Sequence, residues 1–453
     1  MKQLIGTKQF YRTIIALAGP LVLQQLLTSA VQLVDNFMVG RLGEVAMGSV
    51  AIVNQLYFIY ILVIFGILGG AGVFAAQYYG AKEYGKLKET FRFKVVAAGF
   101  VSLLAILIFT VFAKPLFMIF SDDPTIVQGS IDYMTIVKFG FLPWAISTAI
   151  GSTFRETGVT KPLFVISLIT ILTNTILNYL LIFGSFGFPE LGIVGAAIAT
   201  LLARVLELGL TIGLLLRKGA LFNTRLSDLL VIEKKLLGAI IVMTLPLMLN
   251  ELLWSSGNTI FFFSYSRRGT DALAAMTITS SVSSLVFVFF GGIATAVAVL
   301  VGNTLGKNQL ELAKENAKKL IAFSVMIALV AGMLLFSLSF FIVHIYNVSQ
   351  VVKDIAQFNI RVQSFLIPIY TFNVCLFFTF RAGGDTKSTF IFDSGFMMLV
   401  SVPVALSLSF FTTLPVTLMF LIVQLTEFPK LSFGLWRYSK GHWIRNLALK
   451  HAQ

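Results

Sequence analysis

Long apolar runs separated by short polar stretches extend along the whole chain. Each run holds about 20 residues or more, which is the length that a helix needs to cross ~30 Å of hydrocarbon. The pattern predicts an all-α integral membrane protein with twelve transmembrane helices. The predicted spans are 13–39, 46–79, 93–118, 129–154, 162–184, 193–216, 237–265, 272–305, 319–346, 355–380, 387–411 and 414–436.

The composition agrees with this interpretation. Of the 453 residues, 57% are hydrophobic and 12% are charged, and the mean hydropathy is +0.90. These values lie far outside those of soluble globular chains. The single cysteine, Cys375, excludes a disulfide framework and a thiolate metal cluster.

The formal net charge of +14 has a topological origin. If the N-terminus is cytoplasmic, most Lys and Arg fall in the N-terminal segment, the even-numbered loops and the C-terminal tail. This positive-inside bias is expected of a multi-pass protein with both termini in the cytoplasm. We therefore expect a protein of the bacterial plasma (inner) membrane. No basic patch interleaved with aromatic residues indicates nucleic-acid binding.

The chain contains an internal repeat. Residues 153–162 read TFRETGVTKP and residues 379–388 read TFRAGGDTKS, 226 positions later. The same offset aligns Pro20 with Pro246 and Arg204 with Lys430. A constant offset predicts two copies of one six-helix bundle, related by a pseudo-two-fold axis along the membrane normal, with a cleft between them.

The repeat also predicts the domain boundaries. We expect an N-lobe at 1–216, a cytoplasmic linker at 217–236, a C-lobe at 237–436 and a cytoplasmic tail at 437–453. The two repeated loops have the composition of structural turns. The charged segments 80–89 and 306–319 are predicted to form separate short amphipathic helices at the inner surface.

Ionisable groups inside the membrane are costly, so each is a functional candidate. Arg204 and Glu207 are three residues apart on one helix, as are Glu427 and Lys430, which predicts two charge pairs with a gating or structural role. Asp393 lies about two turns inside its span and either snorkels to the cytoplasm or contributes to a site. The candidate acids within the predicted spans are Asp35, Glu207, Glu251, Asp393 and Glu427.

Asp35 has no basic residue within one turn of its helix. Such a carboxylate must take a proton, hold a cation or lie in a wet cavity. Asn174 and Asn178 are four residues apart on one helical face, and their amide oxygens can complete a Na⁺ site with Asp35. Alternatively, Asp35 reaches the outer interface and the asparagines bond neighbouring helices.

Glu251 lies about a turn and a half after Pro246, which allows its helix to bend. We interpret it as a cation-binding or protonation residue that faces the cleft, with Asn250 and Trp254 as a polar partner and an aromatic wall for the substrate. Gln25, the residue equivalent to Glu251 in the first repeat, is assigned to the same cleft. A hydrogen bond between helices is the alternative role of Glu251.

These residues together resemble the multidrug and toxic compound extrusion (MATE) family of cation-coupled antiporters. The resemblance covers nearly the whole chain and lies in Pro20 and Asp35, in Gly80, in the FRETGVTK and FRAGGDTK loops, and in the Asn174/Asn178 pair. It implies that Asp35 is the protonation or sodium site of the N-lobe. Many members carry Asp where this chain has Asn178, and a glutamate at the position of Trp254.

The sequence therefore predicts an antiporter that exports small organic cations or amphipathic drugs in exchange for inward Na⁺ or H⁺. The alternative function is a flippase for lipid-linked oligosaccharide or related lipid cargo. No catalytic constellation indicates an enzyme. We expect a monomer in contact with membrane lipid, with no nucleic-acid partner and no cofactor beyond the coupling ion.

Overall fold

The computed structural model of the chain describes residues 5–217, 220–346 and 348–450. Among the described residues, eleven helices are long and apolar enough to cross a membrane. With the helix Thr270–Val297, eighth in chain order, they confirm the predicted all-α architecture of twelve spans. They are α1 Lys8–Gly40, α2 Glu44–Ala81, α3 Tyr84–Val111, α4 Pro124–Glu156, α5 Lys161–Phe183, α6 Gly192–Leu216, α7 Lys234–Ser266, α8 Thr270–Val297, α9 Leu310–Ile345, α10 Gln350–Ala382, α11 Thr386–Phe411 and α12 Val416–Ser439.

The helical path is locally irregular at several places. The path of α4 includes a 3₁₀ turn at Lys138–Gly140. A π-helical segment, Ala298–Gly302, follows α8, and two more lie within α11 at Ile391–Gly395 and Met397–Ser401. π-helical turns are rare and concentrate at functional sites. The first one in α11 carries Asp393.

The charged segments 80–89 and 306–319 do not form separate surface helices, so that prediction was wrong. Helix α3 begins at Tyr84 and α9 at Leu310, and each continues from its charged start into the apolar span without a break. Neither start contains a proline that would end the helix. A continuous helix also keeps the backbone groups hydrogen-bonded as the chain enters the hydrocarbon.

The two repeated loops adopt the same turn. Gly158 and Gly384 have φ values of +86° and +73°, in the left-handed region that favours glycine. The N–H of Gly158 donates to the carbonyl of Arg155 at 3.0 Å, and that of Gly384 donates to Arg381 at 2.9 Å. Each turn thus satisfies carbonyls at the end of its helix, in α4 and α10 respectively.

A side chain caps the start of α4. Asp123 Oδ1 accepts hydrogen bonds from the Thr125 hydroxyl at 2.7 Å and from the Thr125 N–H at 2.8 Å. These bonds, that from the hydroxyl first, hold the pKa of Asp123 below its ordinary value. Pro124 follows at the first helical position, where its missing N–H needs no partner.

The chain forms two compact units. The N unit comprises Gly19–Tyr79 and Glu83–Thr244, and the C unit comprises Met1–Ala18, Gly80–Lys82 and Leu245–Gln453. The lobe and linker boundaries drawn from the repeat stay predictions. In the N unit, the rings of Tyr60 and Phe141 stack at 4.7 Å in an apolar core, and the Tyr60 hydroxyl donates to the Phe141 carbonyl at 2.9 Å.

Candidate functional site

The structure brings Asp35, Asn174 and Asn178 together within the N unit. Asp35 lies about a turn and a half before the end of α1, and the two asparagines lie on one face of α5. Asn178 Nδ2 donates a hydrogen bond to Asp35 Oδ1 at 2.9 Å and a longer one to Asn174 Oδ1 at 3.4 Å. The grouping that the sequence predicts is therefore present.

Asp35 differs in its partners from the other four acids that are candidate site residues. Glu207, Glu251, Asp393 and Glu427 each lie within 4.0 Å of a Lys or Arg nitrogen. Across the described ranges, no basic side chain lies within that distance of Asp35. Its carboxylate is supported by one amide N–H, so an ionised Asp35 has no compensating charge among the described side chains within 4.0 Å.

Two amide oxygens belong to the same group of side chains as this carboxylate. Asn178 is 4% exposed, and its Oδ1 is buried without a hydrogen-bond partner in the described part of the chain. This oxygen, Asn174 Oδ1 and the carboxylate of Asp35 form a donor set that suits a hard cation or can accept a proton. No group of three or more His, Cys, Asp or Glu in the described ranges is arranged to hold a metal ion, so this set has one carboxylate only.

Two residues assigned to the substrate cleft keep that role as a prediction. Gln25 is exposed and Trp254 is half-buried. The neighbouring Gln24 makes the contact between helices, because its Nε2 donates to Ser167 Oγ at 2.7 Å. The sequence did not single out Gln24.

Asn250, also assigned to the substrate cleft, lies in a buried polar network of the C unit. It is 1% exposed. Its Nδ2 donates to Asp393 Oδ2 at 3.0 Å, while its Oδ1 accepts from the N–H and the hydroxyl of Ser394 at 3.1 and 2.8 Å. Consecutive helical residues point about 100° apart, so Asn250 reaches α11 while Glu251 faces elsewhere.

Asp393 is held inside this network and does not snorkel. Lys430 Nζ donates to Asp393 Oδ1 at 2.9 Å, whereas Glu427, the predicted partner of Lys430, is 3.9 Å away. Glu427 Oε2 instead accepts a hydrogen bond from Asn373 Nδ2 at 2.7 Å. The main charge pair of α12 is therefore between helices, with Asp393, and not within one helix.

Glu251 has a basic partner that the sequence did not indicate. Arg381 Nη1 lies 3.7 Å from Glu251 Oε1. Arg381 belongs to the last turn of α10, in the repeated TFRAGGDTKS segment. The charge of Glu251 therefore has a partner of opposite sign, whereas no described Lys or Arg plays this part for Asp35.

The predicted pair on α6 is present. Arg204 Nη1 lies 3.0 Å from Glu207 Oε2, as the spacing of three residues indicates. The Arg204 guanidinium also lies close to the Tyr57 hydroxyl. This pair therefore joins α6 to the aromatic core of the N unit through Tyr57.

Comparison of the repeats shows that each unit keeps a different polar site. Asn250 and Asp393 of the C unit correspond to Gln24 and Ser167, which form the equivalent hydrogen bond without a charge. Conversely, the position of Asp35 is taken in the C unit by an apolar residue, Phe261. Phe261 and Val404, the counterpart of Asn178, pack against one hydrophobic cluster.

The N unit contains a buried ion pair that the sequence did not indicate. Lys94 Nζ bonds Glu156 Oε2, and it lies 3.2 and 3.3 Å from the hydroxyls of Ser152 and Thr153. The side chains of Lys94 and Glu156 are 0% and 11% exposed. They join α3 to the end of α4. At the repeat offset, the C unit has Leu320 and Ala382.

The chain was compared with known families and proteins. The sequence profile of the MatE family matches residues 20–180 and, separately, residues 246–420. The second match starts at 246 and the first at 20, a difference of 226, which equals the offset of the repeat.

Curated relatives span most of the chain. The probable multidrug resistance protein YoeA of Bacillus subtilis is 27% identical over 88% of this chain and 86% of its own length. The probable multidrug resistance protein NorM of Thermotoga maritima is 25% identical over 87% of this chain and 84% of its own length.

Solved structures share the fold. A MATE transporter of Vibrio cholerae superimposes with a TM-score of 0.88 at 17% identity, covering 97% of this chain and 99% of that chain. A MOP superfamily transporter of Pyrococcus furiosus superimposes with a TM-score of 0.85 at 18% identity, covering 97% of both chains.

Proposed function

Because the chain belongs to the MatE family, we propose that it is a cation-coupled antiporter that exports amphipathic or cationic organic compounds. It is a multi-pass membrane transporter and not an enzyme. The multidrug resistance proteins among its relatives support this class of cargo. Export proceeds by alternating access, in which the cargo site opens to one side of the membrane at a time.

The single observation that carries the proposal is the position of Asp35 and the kind of partner it has. It is a carboxylate on a membrane-spanning helix, and among the described residues its hydrogen-bond partner is an amide, not a cation. An ionised group in this setting is costly unless a counter-charge arrives. A proton or a Na⁺ ion supplies that charge, so Asp35 is the residue that exchanges the coupling cation.

Asn178 adapts to both forms of Asp35. When the carboxylate is ionised, it accepts a hydrogen bond from Asn178 Nδ2. When it takes a proton, its O–H becomes a donor, and a half-turn of the amide presents Asn178 Oδ1 as the acceptor. The same turn, together with Asn174 Oδ1, directs oxygen atoms at a Na⁺ ion.

Cargo and coupling cation are linked through charge. A cationic cargo is attracted to the N unit when Asp35 is ionised, and this attraction is lost when Asp35 binds a proton or Na⁺. Binding linkage is reciprocal, so the cargo must weaken cation binding by the same factor. Entry of the cation from outside therefore releases the cargo there.

The test is uptake of a fluorescent organic cation into proteoliposomes under an imposed pH gradient or an imposed Na⁺ gradient. We expect one of the two gradients to drive uptake by the parent protein and thereby to identify the coupling ion. Asp35→Asn should abolish this gradient-driven component, because the amide binds neither H⁺ nor Na⁺ as a carboxylate does.

Asp132→Asn is the matched control. Asp132 is an exposed acid of the N unit that also accepts one amide hydrogen bond, from Gln128 at 2.8 Å. The control should retain parental uptake. Uptake that ignores both gradients in the parent would refute antiport, and parental uptake by Asp35→Asn would refute the site.

A further inference from the structure

The segment between α6 and α7 is held against the start of α3. Arg92 Nε donates to Thr224 Oγ1 and Arg92 Nη1 to the Val231 carbonyl, both at 2.8 Å. Glu89 Oε2 accepts from the N–H of Glu233 at 2.8 Å. These three contacts, spread over ten residues, hold the segment against α3. We call residues 224–235 the 224–235 strap.

Large apolar side chains of the strap are exposed on the surface of the protein. Leu226 is 86% exposed, Leu230 is 80% exposed and Val231 is 62% exposed. Leu226 begins a short 3₁₀ turn, Leu226–Asp228. Phe222, just before the strap, is buried against Phe91, so the apolar residues of this region divide into an inner and an outward set.

The charges of the strap are also divided. Its two acids are neutralised by α3, since Asp228 lies 3.6 Å from Arg92 and Glu233 pairs with Lys86. Its three bases are Arg225, Lys234 and Lys235. In the part of the chain that the structure describes, none of these three side chains forms an ion pair or a hydrogen bond. The strap thus presents aliphatic groups flanked by uncompensated positive charge.

The position of the strap identifies what covers this surface. It follows the end of one spanning helix, Leu216, and leads into the start of another, Lys234. Its attachment residues on α3, from Lys86 to Arg92, lie in the charged first turns, directly before the apolar part of that helix. This is the level of the lipid headgroups, where basic and aliphatic residues bind together.

We propose that the 224–235 strap is a binding surface for anionic phospholipid. Leu226, Leu230 and Val231 lie at the boundary of headgroups and acyl chains, and the three bases contact acidic headgroups of the same leaflet. The strap is then a lipid-anchored connection, clamped to α3 on one side and to the membrane on the other. This inference is independent of Asp35 and of the coupling ion.

Site-directed spin labelling tests the depth of the strap. Cys375 is fully buried, so a cysteine introduced at the surface is the reactive thiol. Nitroxides at Leu226→Cys and Leu230→Cys are examined in vesicles of equal parts phosphatidylcholine and phosphatidylglycerol. We expect each label to collide several-fold more often with oxygen, which concentrates in lipid, than with a water-soluble nickel complex.

Glu83→Cys is the control, because Glu83 is an exposed polar residue directly before the same helix, α3. There the nickel complex should dominate. Nickel access at 226 and 230 equal to that at 83 would overturn the proposal. So would spin–spin broadening at these positions, which would show a second copy of the chain on the surface.

The charge requirement is tested in the Leu230→Cys protein. Replacing phosphatidylglycerol by phosphatidylcholine should move the label several-fold towards nickel access. Arg225→Gln, Lys234→Gln and Lys235→Gln together should produce the same change in the mixed vesicles. Equal depth in both lipid compositions would refute recognition of anionic headgroups.

Discussion

The buried pair Lys94–Glu156 permits a stringent test of the packing of the N unit. Breaking a buried ion pair by removing one partner costs about 3–5 kcal/mol, because the other charge stays buried without compensation. Lys94 is fully buried, so Glu156→Ala should reach this range even though two hydroxyls remain near Nζ. Lys94→Leu should do the same by isolating the carboxylate.

The repeat supplies the compensating double variant. The C unit has Leu320 and Ala382 at the equivalent positions, both buried in its core. The double variant Lys94→Leu with Glu156→Ala has the same two residues as the C unit. Replacing a buried ion pair by apolar residues often leaves the free energy of unfolding nearly unchanged. We therefore expect the double variant to lie within about 1–2 kcal/mol of the parent, with a coupling energy of at least about 3 kcal/mol.

Melting of the detergent-solubilised protein, followed by size-exclusion chromatography after heating, measures these effects. For a unit of this size, 1 kcal/mol shifts Tm by about 2–4 °C, so each single variant should lose roughly 6–20 °C. Glu315→Ala is the control, since it breaks an exposed pair with Lys319 that is worth less than about 1 kcal/mol. Single variants as stable as this control, or a double variant as unstable as the sum of both, would refute the reasoning.

Two further predictions concern the C unit. Gly383→Ala places a Cβ on the carbonyl oxygen of Trp443, so we expect the tail to detach and limited trypsin digestion to cut it sooner; unchanged digestion would contradict this close packing. Asp393→Asn removes the closest partner of Lys430, and we expect a loss of about 3 kcal/mol in a melting assay. Lys430→Met added to it should restore part of that stability, and no recovery would show that the two charges are not coupled.

Local patterns predicted the helices and the contacts within one helix. Apolar runs set the twelve spans, and a spacing of three residues placed Arg204 beside Glu207. The turn at Gly158 follows from residues adjacent in sequence. These features depend on helical geometry, which the order of residues determines directly.

Contacts between distant helices could not be read in the same way. Nothing local to Glu251 indicates Arg381, and nothing local to Lys94 indicates Glu156, because helix rotation and tilt decide which residues meet. Lys94 also lies at the margin of its span, where a lysine is ordinary. The repeat held a usable signal, since Lys94 and Glu156 are both replaced by apolar residues at the offset of 226.

Asp35 and Asn178 were brought together by a chemical argument and not by a pattern. A lone carboxylate in a span requires a partner, and the paired asparagines of α5 were polar residues able to provide one. The hydrogen bond between them agrees with this argument. The choice between H⁺ and Na⁺ at this proposed site depends on binding free energies, which neither the pattern nor the distance contains.

The core of the C unit joins segments that lie on either side of the N unit in the sequence. Ile14 and Trp443 belong to the same hydrophobic cluster, together with residues of α9 and α10. The ribosome synthesises Ile14 before the N unit, whose residues all lie between Gly19 and Thr244, and Trp443 after it. The N unit can therefore complete its folding while translation continues, whereas the core of the C unit closes only after Trp443 has been made.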